Sequence, residues 1–222
     1  MSLARPVTHV VFDMDGVLLD TERFYTEVTQ AIVGRFGKRF DWSIKGNMIG
    51  RPAIDSARYL VRTLALPMAP EAYLREREAM LERLFPDARP MPGALELTAA
   101  LAARGVPQAV ATSSNTRLFA LKTLRHGEWF RRVFSAVVLG DDPRVGRGKP
   151  APDIFLVAAR ELGADPAACL VVEDAPAGVA AAHAAGMQVL VVPDPGMDRE
   201  RYRDAELVVE SLADVTPAML GL

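Results

Sequence analysis

The sequence predicts an α/β protein: a mostly parallel sheet covered by helices on both faces, with a helical insert near the N-terminus. Three observations carry that prediction. From Met91 onward, short apolar runs alternate with stretches of helical periodicity. Between the first apolar run, residues 10–12, and Met91 the recurring pattern is helical only. Several of the apolar runs also stop at polar groups: Asp13 and Asp15, Thr112 and Ser113, Glu173 and Asp174. In a parallel sheet the carboxyl ends of the strands share one edge, and ligands bind beyond it.

The elements follow in order. Val10, Val11 and Phe12 form a buried strand, too short for a helix, that delivers Asp13 and Asp15 into a loop where Gly16 permits a sharp turn. Phe24, Val28, Ile32 and Phe36 recur every fourth residue, one apolar stripe on a helix that Gly37 ends. Residues 42–49 fit neither pattern. Pro52 opens another helix with Ile54, Ala57, Leu60, Val61 and Leu64 inward, broken by the segment LALPMAP. A third helix, residues 71–84, turns Leu74, Leu81 and Leu84 inward and carries the charge run RERE, read as a solvated face rather than a binding patch. Then come a helix over 94–104 closed by Gly105, a strand over 106–111, and a helix over 115–125. A strand over 136–139, a helix over 153–162 and a strand over 170–172 follow. A small-residue helix over 177–185, capped by Gly186, and strands over 189–192 and 207–209 complete the pattern.

Length and composition narrow the class. A chain of 222 residues suits one α/β unit or a core with a small inserted domain, and 50% hydrophobic residues give ample core. A net charge of -2 offers no argument for nucleic acid or an anionic membrane. No apolar run approaches the roughly 20 residues of a membrane span, and no signal-peptide core is evident. The expectation is a soluble cytoplasmic monomer whose partner is a small molecule. Cys169 is the one cysteine, which excludes an intramolecular disulfide; in the run CLVV it reads as core filler.

Chemistry concentrates at the strand ends. Two carboxylates directly after a buried strand are poor core residues, because unpaired buried charge is expensive. One reading is an ordinary Asp-Gly turn with solvated acids. The other is a cation held by Asp13, Asp15 and Asp174, and hard oxygen ligands of this kind suit magnesium. Thr112 and the neighbouring amides can donate to phosphate oxygens, while Lys149 adds a fixed positive charge. Metal and lysine offsetting a phosphate charge while a positioned nucleophile attacks is a phosphoryl-transfer site.

Asp13-Met14-Asp15-Gly16, Thr112-Ser113 behind an apolar run, Gly148-Lys149-Pro150 and Glu173-Asp174 resemble, in order, the four motifs of the haloacid dehalogenase superfamily. The similarity runs over nearly the whole chain. PVTHVVFDMDGVLLDTERFY, LPM, MPGA, ATSS, VLGDDPRVGRGKPAPDIF and CLVVEDAPAGVAAAHAAGMQV are most similar to the group containing pseudouridine-5'-phosphatase, beside β-phosphoglucomutase and small sugar-phosphate phosphatases. The resemblance implies a Rossmann-like core, residues 1–19 and 92–222, with an inserted helical cap domain over 20–91. The hinges would lie near Leu19 and Asp20 and near Met91 and Pro92. It implies that Asp13 is the nucleophile forming an aspartyl-phosphate and Asp15 the general acid, later the base. Magnesium would bind Asp13, the backbone carbonyl of Asp15, and Asp174, with Glu173 close by; Thr112, Ser113 and Lys149 would hold the substrate phosphoryl group. Arg51, in a cap loop, has two readings: a contact to leaving group or phosphate, or a solvated arginine opening a helix.

An aspartate at position 15 favours phosphatase or mutase chemistry in that superfamily, whose ATPases carry threonine there. The expected function is a magnesium-dependent phosphatase of a small phosphomonoester, pseudouridine 5'-phosphate being the preferred substrate. The alternatives are a phosphosugar mutase of the β-phosphoglucomutase type and a broad sugar-phosphate or glycerol-phosphate phosphatase. A non-catalytic regulator is disfavoured because every catalytic position is filled. His9, His126 and His183 share no metal-like spacing and read as structural, and Asp141 and Asp142 as a turn.

Overall fold

The apolar run ahead of Asp13 is strand β1 (His9–Phe12), with Val10, Val11 and Phe12 wholly buried. In the computed structural model, which describes residues 3–49 and 53–222, the chain next passes through four helices. They are α1 (Glu22–Gly34), α2 (Trp42–Lys45), α3 (Ala53–Thr63) and α4 (Pro70–Leu84). Then α5 (Ala94–Ala103), β2 (Gln108–Ala111), α6 (Thr116–Lys122), α7 (Gly127–Val133) and β3 (Ala136–Val138) follow. The chain finishes with α8 (Asp153–Leu162), β4 (Cys169–Glu173), α9 (Pro176–Ala184), β5 (Gln188–Val191) and β6 (Leu207–Val208).

Every strand pair is parallel, in the order β3-β2-β1-β4-β5-β6. The chain moves outward from β1 in one direction through β2 and β3, then crosses back to β4 on the other side. The crevice beyond the end of β1 is therefore the point where strand order reverses, the usual ligand position in such sheets. Strand periodicity separates two cores. Val10, Phe12, Leu170 and Val172 pack with α5 and the inserted helices; Val11, Val171, Val189 and Val191 pack under α8 and α9. Burial on both faces is why these strands read as continuous apolar runs.

The helices between β1 and α5 contain no strand among the described residues and pack on one another, α4 lying against both α1 and α3. Phe24, Val28 and Ile32 are buried along α1, as their spacing predicts. The chain enters and leaves this unit side by side: Asp20 N donates to Arg89 O at 2.8 Å and Met91 N to Leu18 O at 2.9 Å. Away from that doorway, the unit's contacts with the sheet domain include Lys45 Nζ, 3.3 Å from Asp194, Trp42 against Gly196, and the ion pairs Glu82–Arg117 and Asp87–Arg125. A Cβ on Gly196 would fall 2.0 Å from the Trp42 ring, so only glycine fits beneath it.

Several elements differ from the expectation. α1 stops at Gly34, and Gly37 (φ 68°) turns the chain in the loop that follows. The helix expected over 115–125 ends at Lys122, and α7 was not expected. Gly127 interrupts the periodicity there; aromatic packing holds α7 instead, Phe119–Phe130 and Trp129–Phe130 centroids lying 5.7 and 5.1 Å apart. The RERE run is not a uniformly solvated face, for Arg77 is half-buried against Tyr25 and Tyr73. Pro52, Arg51 and Gly50 lie outside the described residues. Among the described residues no helix is long and apolar enough to cross a membrane.

Candidate active site

Three strand ends and the loop after β3 build the site. Asp13 continues β1, its N–H donating to Val172 O at 2.9 Å and so fixing the carboxylate against β4. Glu173 ends β4 and is 1% exposed; its Oε2 accepts the N–H groups of Asp174 and Ala175 at 2.9 and 3.0 Å. That leaves Oε1 for Lys149, 2.6 Å away, and Lys149 Nζ reaches Asp13 Oδ1 at 2.5 Å and Ala111 O at 3.2 Å. The fold needs glycine beside this arrangement. A Cβ on Gly178 would lie 1.8 Å from Glu173 Oε1, and one on Gly16 (φ 77°) would lie 2.4 Å from Asp174 Oδ2.

Asp15 is held by a separate set of groups. Its Oδ1 accepts from Thr21 Oγ1 at 2.5 Å and Lys122 Nζ at 2.6 Å, and its Oδ2 from Ser114 Oγ at 3.0 Å. Lys122 also donates to Ser114 Oγ at 2.9 Å. Two aspartates separated by a single residue thus face two different lysines, Lys149 and Lys122, arriving from distant parts of the chain.

These partners drive the acids apart. Burial pushes the Asp13 carboxyl up to about 7; Lys149 pulls it down, while Glu173 and Asp15 push it up. Asp174 lies well above the usual carboxylate range, through burial first and then the charges of Glu173 and Asp13. For Asp15, burial alone would raise the value, but the Lys122 charge and hydrogen bonds from Lys122, Thr21 and Ser114 hold it below the ordinary one. Burial would lower both lysines, yet each is raised by its carboxylates: Lys149 by Asp13 and Glu173, Lys122 by Asp15.

Asp13, Asp15, Ser113, Lys149, Glu173 and Asp174 line one cavity of ≈ 440 Å³. Thr112 stands at the end of β2 but is wholly buried, its hydroxyl accepting the Ser114 N–H at 3.1 Å; the cavity wall at that strand end is Ser113. Arg51 is among the residues not described. The sequence reading missed Thr21, Ser114 and Lys122, the residues that hold Asp15, and Tyr202, whose hydroxyl donates to Asp174 O at 2.6 Å.

The residues fit a divalent cation by charge and donor chemistry. Asp13 and Glu173 both contact the Lys149 ammonium, and burial together with the negative charge they share with Asp174 keeps Asp13 and Asp174 high. Among the described residues no group of three or more His, Cys, Asp or Glu side chains is arranged to hold a metal. The donors available are two carboxylates, Asp13 and Asp174, and main-chain oxygen; the Asp15 side chain is engaged by Lys122, Thr21 and Ser114. Cys169 is buried, its thiol pushed up to about 11, and is no nucleophile at neutral pH.

Comparison with known proteins agrees with this geometry. The model of the haloacid dehalogenase-like hydrolase family matches residues 7–186. An Arabidopsis thaliana protein named (DL)-glycerol-3-phosphatase 2 is 49% identical over 221 residues, covering 97% of this chain and 92% of the relative. A Drosophila melanogaster protein named probable pseudouridine-5'-phosphatase is 47% identical over 220 residues, covering 98% of this chain and 95% of the relative. The crystal structure of a HAD family hydrolase from Deinococcus radiodurans, with bound phosphate and sodium, superposes with a TM-score of 0.80 at 29% identity, covering 97% of this chain and 96% of that one. The chain belongs to the haloacid dehalogenase-like hydrolase family and is an enzyme of it, a phosphatase of small phosphorylated metabolites.

Proposed function

We propose that this phosphatase is magnesium-dependent, works through an aspartyl-phosphate on Asp13, and prefers pseudouridine 5'-phosphate. The observation that carries the mechanism is the pairing of the two aspartates with different lysines. Asp13 lies against Lys149 on the floor of the cavity, where its Oδ can attack phosphorus. The bond that forms is Asp13 O–P; the bond that breaks is the ester P–O, whose electron pair leaves with the alkoxide. Lys149, held by Glu173, supplies positive charge beside the phosphoryl oxygens. Asp15 sits two residues on; because Lys122 favours its ionised form, it must first take up a proton from solvent, which it then donates to the leaving oxygen, and as the carboxylate so formed it takes one from the water that hydrolyses the aspartyl-phosphate. Thr21, Ser114 and Lys122 fix the direction in which that carboxyl points.

Asp13, Asp174 and the backbone carbonyl of Asp15 are the oxygen donors that would hold magnesium. The ion would offset the charge of the phosphate dianion against the surrounding carboxylates. Residues 20–91 act as a cap that closes over the cavity, with hinges at Leu19 and Asp20 and at Met91 and Pro92. Its contacts to the sheet domain through Lys45 and Trp42 support that reading.

The relative named for glycerol-3-phosphate supports a second substrate, glycerol 3-phosphate. A phosphate-release screen across pseudouridine 5'-phosphate, glycerol 3-phosphate, nucleotides and sugar phosphates, with magnesium and with chelator, decides between them. Asp13→Asn is expected to abolish release. Residual magnesium-dependent turnover in that variant removes Asp13 as nucleophile, and preference for a hexose phosphate with the pseudouridine ester untouched overturns the substrate assignment.

A further inference from the structure

A second chamber opens beside the first. It measures ≈ 420 Å³ and lies within the inserted helices, with Tyr25 and Thr29 of α1, Met48, Ser56 of α3 and Arg77 of α4 on its walls. Glu22, Ile49 and Ser113 border both this chamber and the catalytic cavity. The two are neighbouring rooms with shared walls, and the volume of the second lies within the range of small-molecule sites.

Arg77 is the unusual group in it. It occupies the buried stripe of α4, four residues after Tyr73 and four before Leu81, both of which are buried. Its guanidinium carbon lies 5.6 Å from the Tyr25 ring centroid and 5.7 Å from that of Tyr73, a cation placed against two aromatic rings. The Tyr73 hydroxyl is engaged elsewhere, 2.8 Å from Thr29 Oγ1. Yet the Arg77 Nε–H is buried with no acceptor, and no carboxylate lies within ion-pair reach of the guanidinium among the described residues. The neighbouring arginine and glutamate pairs are otherwise satisfied: Glu76 binds Arg35 and Glu82 binds Arg117. With no carboxylate to match it, the Arg77 charge on the chamber wall is left for an oxygen acceptor inside the chamber to meet.

We propose that Arg77 is a specificity-determining residue that donates hydrogen bonds to an oxygen acceptor on the leaving group of the substrate, seated in this second chamber. This inference rests on the reading of the first cavity as the phosphoryl-transfer site. The chamber then takes phosphomonoesters whose leaving group extends past Glu22 and presents carbonyl or hydroxyl oxygen at its far end, stacked near Tyr25. Esters with an apolar leaving group find no acceptor to offer Arg77, and a donor built for hydrogen bonding discriminates strongly against a partner that lacks the group.

The test compares pseudouridine 5'-phosphate, which carries distal carbonyl and hydroxyl oxygens, with phenyl phosphate, which carries none. Arg77→Met is expected to lower kcat/KM for the pseudouridine ester by about 10–100-fold, mainly through KM, the loss expected for a charged hydrogen bond. The fall for phenyl phosphate is expected to be less than about threefold by the same reasoning, since that ester makes no such bond. Arg77→Lys restores part of the lost selectivity. Equal losses on both esters, or no loss on either, overturn the role of Arg77 while leaving the catalytic reading intact, as does a wild-type enzyme that prefers phenyl phosphate. If the wild-type protein releases phosphate from neither ester, the catalytic reading itself falls and takes this inference with it.

Discussion

Replacing Lys122 by methionine isolates the group that holds Asp15. The ammonium is 1% exposed and donates to Asp15 Oδ1 at 2.6 Å, while the Asp15 side chain keeps 22% exposure toward the cavity. Breaking a buried ion pair by removing one partner costs roughly 3–5 kcal/mol. Asp15 retains hydroxyl donors from Thr21 and Ser114 and some contact with water, which places the loss near the lower end, about 3 kcal/mol. For a chain of this size each kcal/mol moves Tm by about 2–4 °C, so the variant should melt about 6–12 °C lower at neutral pH.

The pH dependence has a definite sign. Asp15 lies below its unfolded value because Lys122 outweighs burial, so its contribution is present above the unfolded carboxylate pKa and is lost as pH falls through the folded one. Lys122 is raised, so its contribution is present below the unfolded lysine pKa and is lost as pH rises through the folded one. In the variant only the Thr21 and Ser114 hydrogen bonds oppose burial at Asp15, and protonating it relieves the penalty. The difference in Tm between wild type and variant is therefore widest between about pH 5 and 9 and closes toward pH 3. Scanning calorimetry of both proteins without added metal measures it. A difference below about 2 °C at pH 7, or one that stays constant down to pH 3, refutes the reasoning.

Gly178→Ala puts a methyl group 1.8 Å from Glu173 Oε1, so Glu173 must release Lys149; overpacking of this kind costs about 1–3 kcal/mol, and urea unfolding with phosphate-release kinetics should register both losses. Tyr73→Phe removes the buried bond to Thr29 Oγ1 and should lower stability by about 0.5–1.5 kcal/mol, read from the urea midpoint. Burial and a thiol pushed up to about 11 predict that Ellman's reagent at pH 8 labels Cys169 only after unfolding; rapid labelling of the native protein contradicts the packing described.

The strands and the polar groups that end them were legible because a two-sided sheet writes itself as uninterrupted Val, Ile and Leu, and the bounds of α8 match the expectation residue for residue. Asp13, Lys149, Glu173 and Asp174 do converge, as a parallel sheet requires. What stayed hidden were cations on apolar stripes. Lys122 follows Leu118 by four residues and Leu121 by one, on the inward side of α6, and Arg77 falls midway between Tyr73 and Leu81 on α4. Read singly, each is a surface charge; read against the stripe it interrupts, each marks a buried partner elsewhere in the chain. The identity of that partner was not legible, because Asp15 and Tyr25 reach these helices only through tertiary packing.

The doorway between Leu18 and Met91 bears on how such a protein can change over generations. The ends of the inserted segment are hydrogen-bonded neighbours, Leu19 pairing with Pro90, so whatever polypeptide hangs between them begins and ends at one fixed bridge. Lengthening, shortening or exchanging that segment need not disturb the register of β1 against β2 and β4. On the proposed reading, the residues that move phosphate and those that choose the molecule carrying it lie on opposite sides of that bridge, and any exchanged segment must still meet the sheet domain where Glu82 pairs with Arg117 and Asp87 with Arg125.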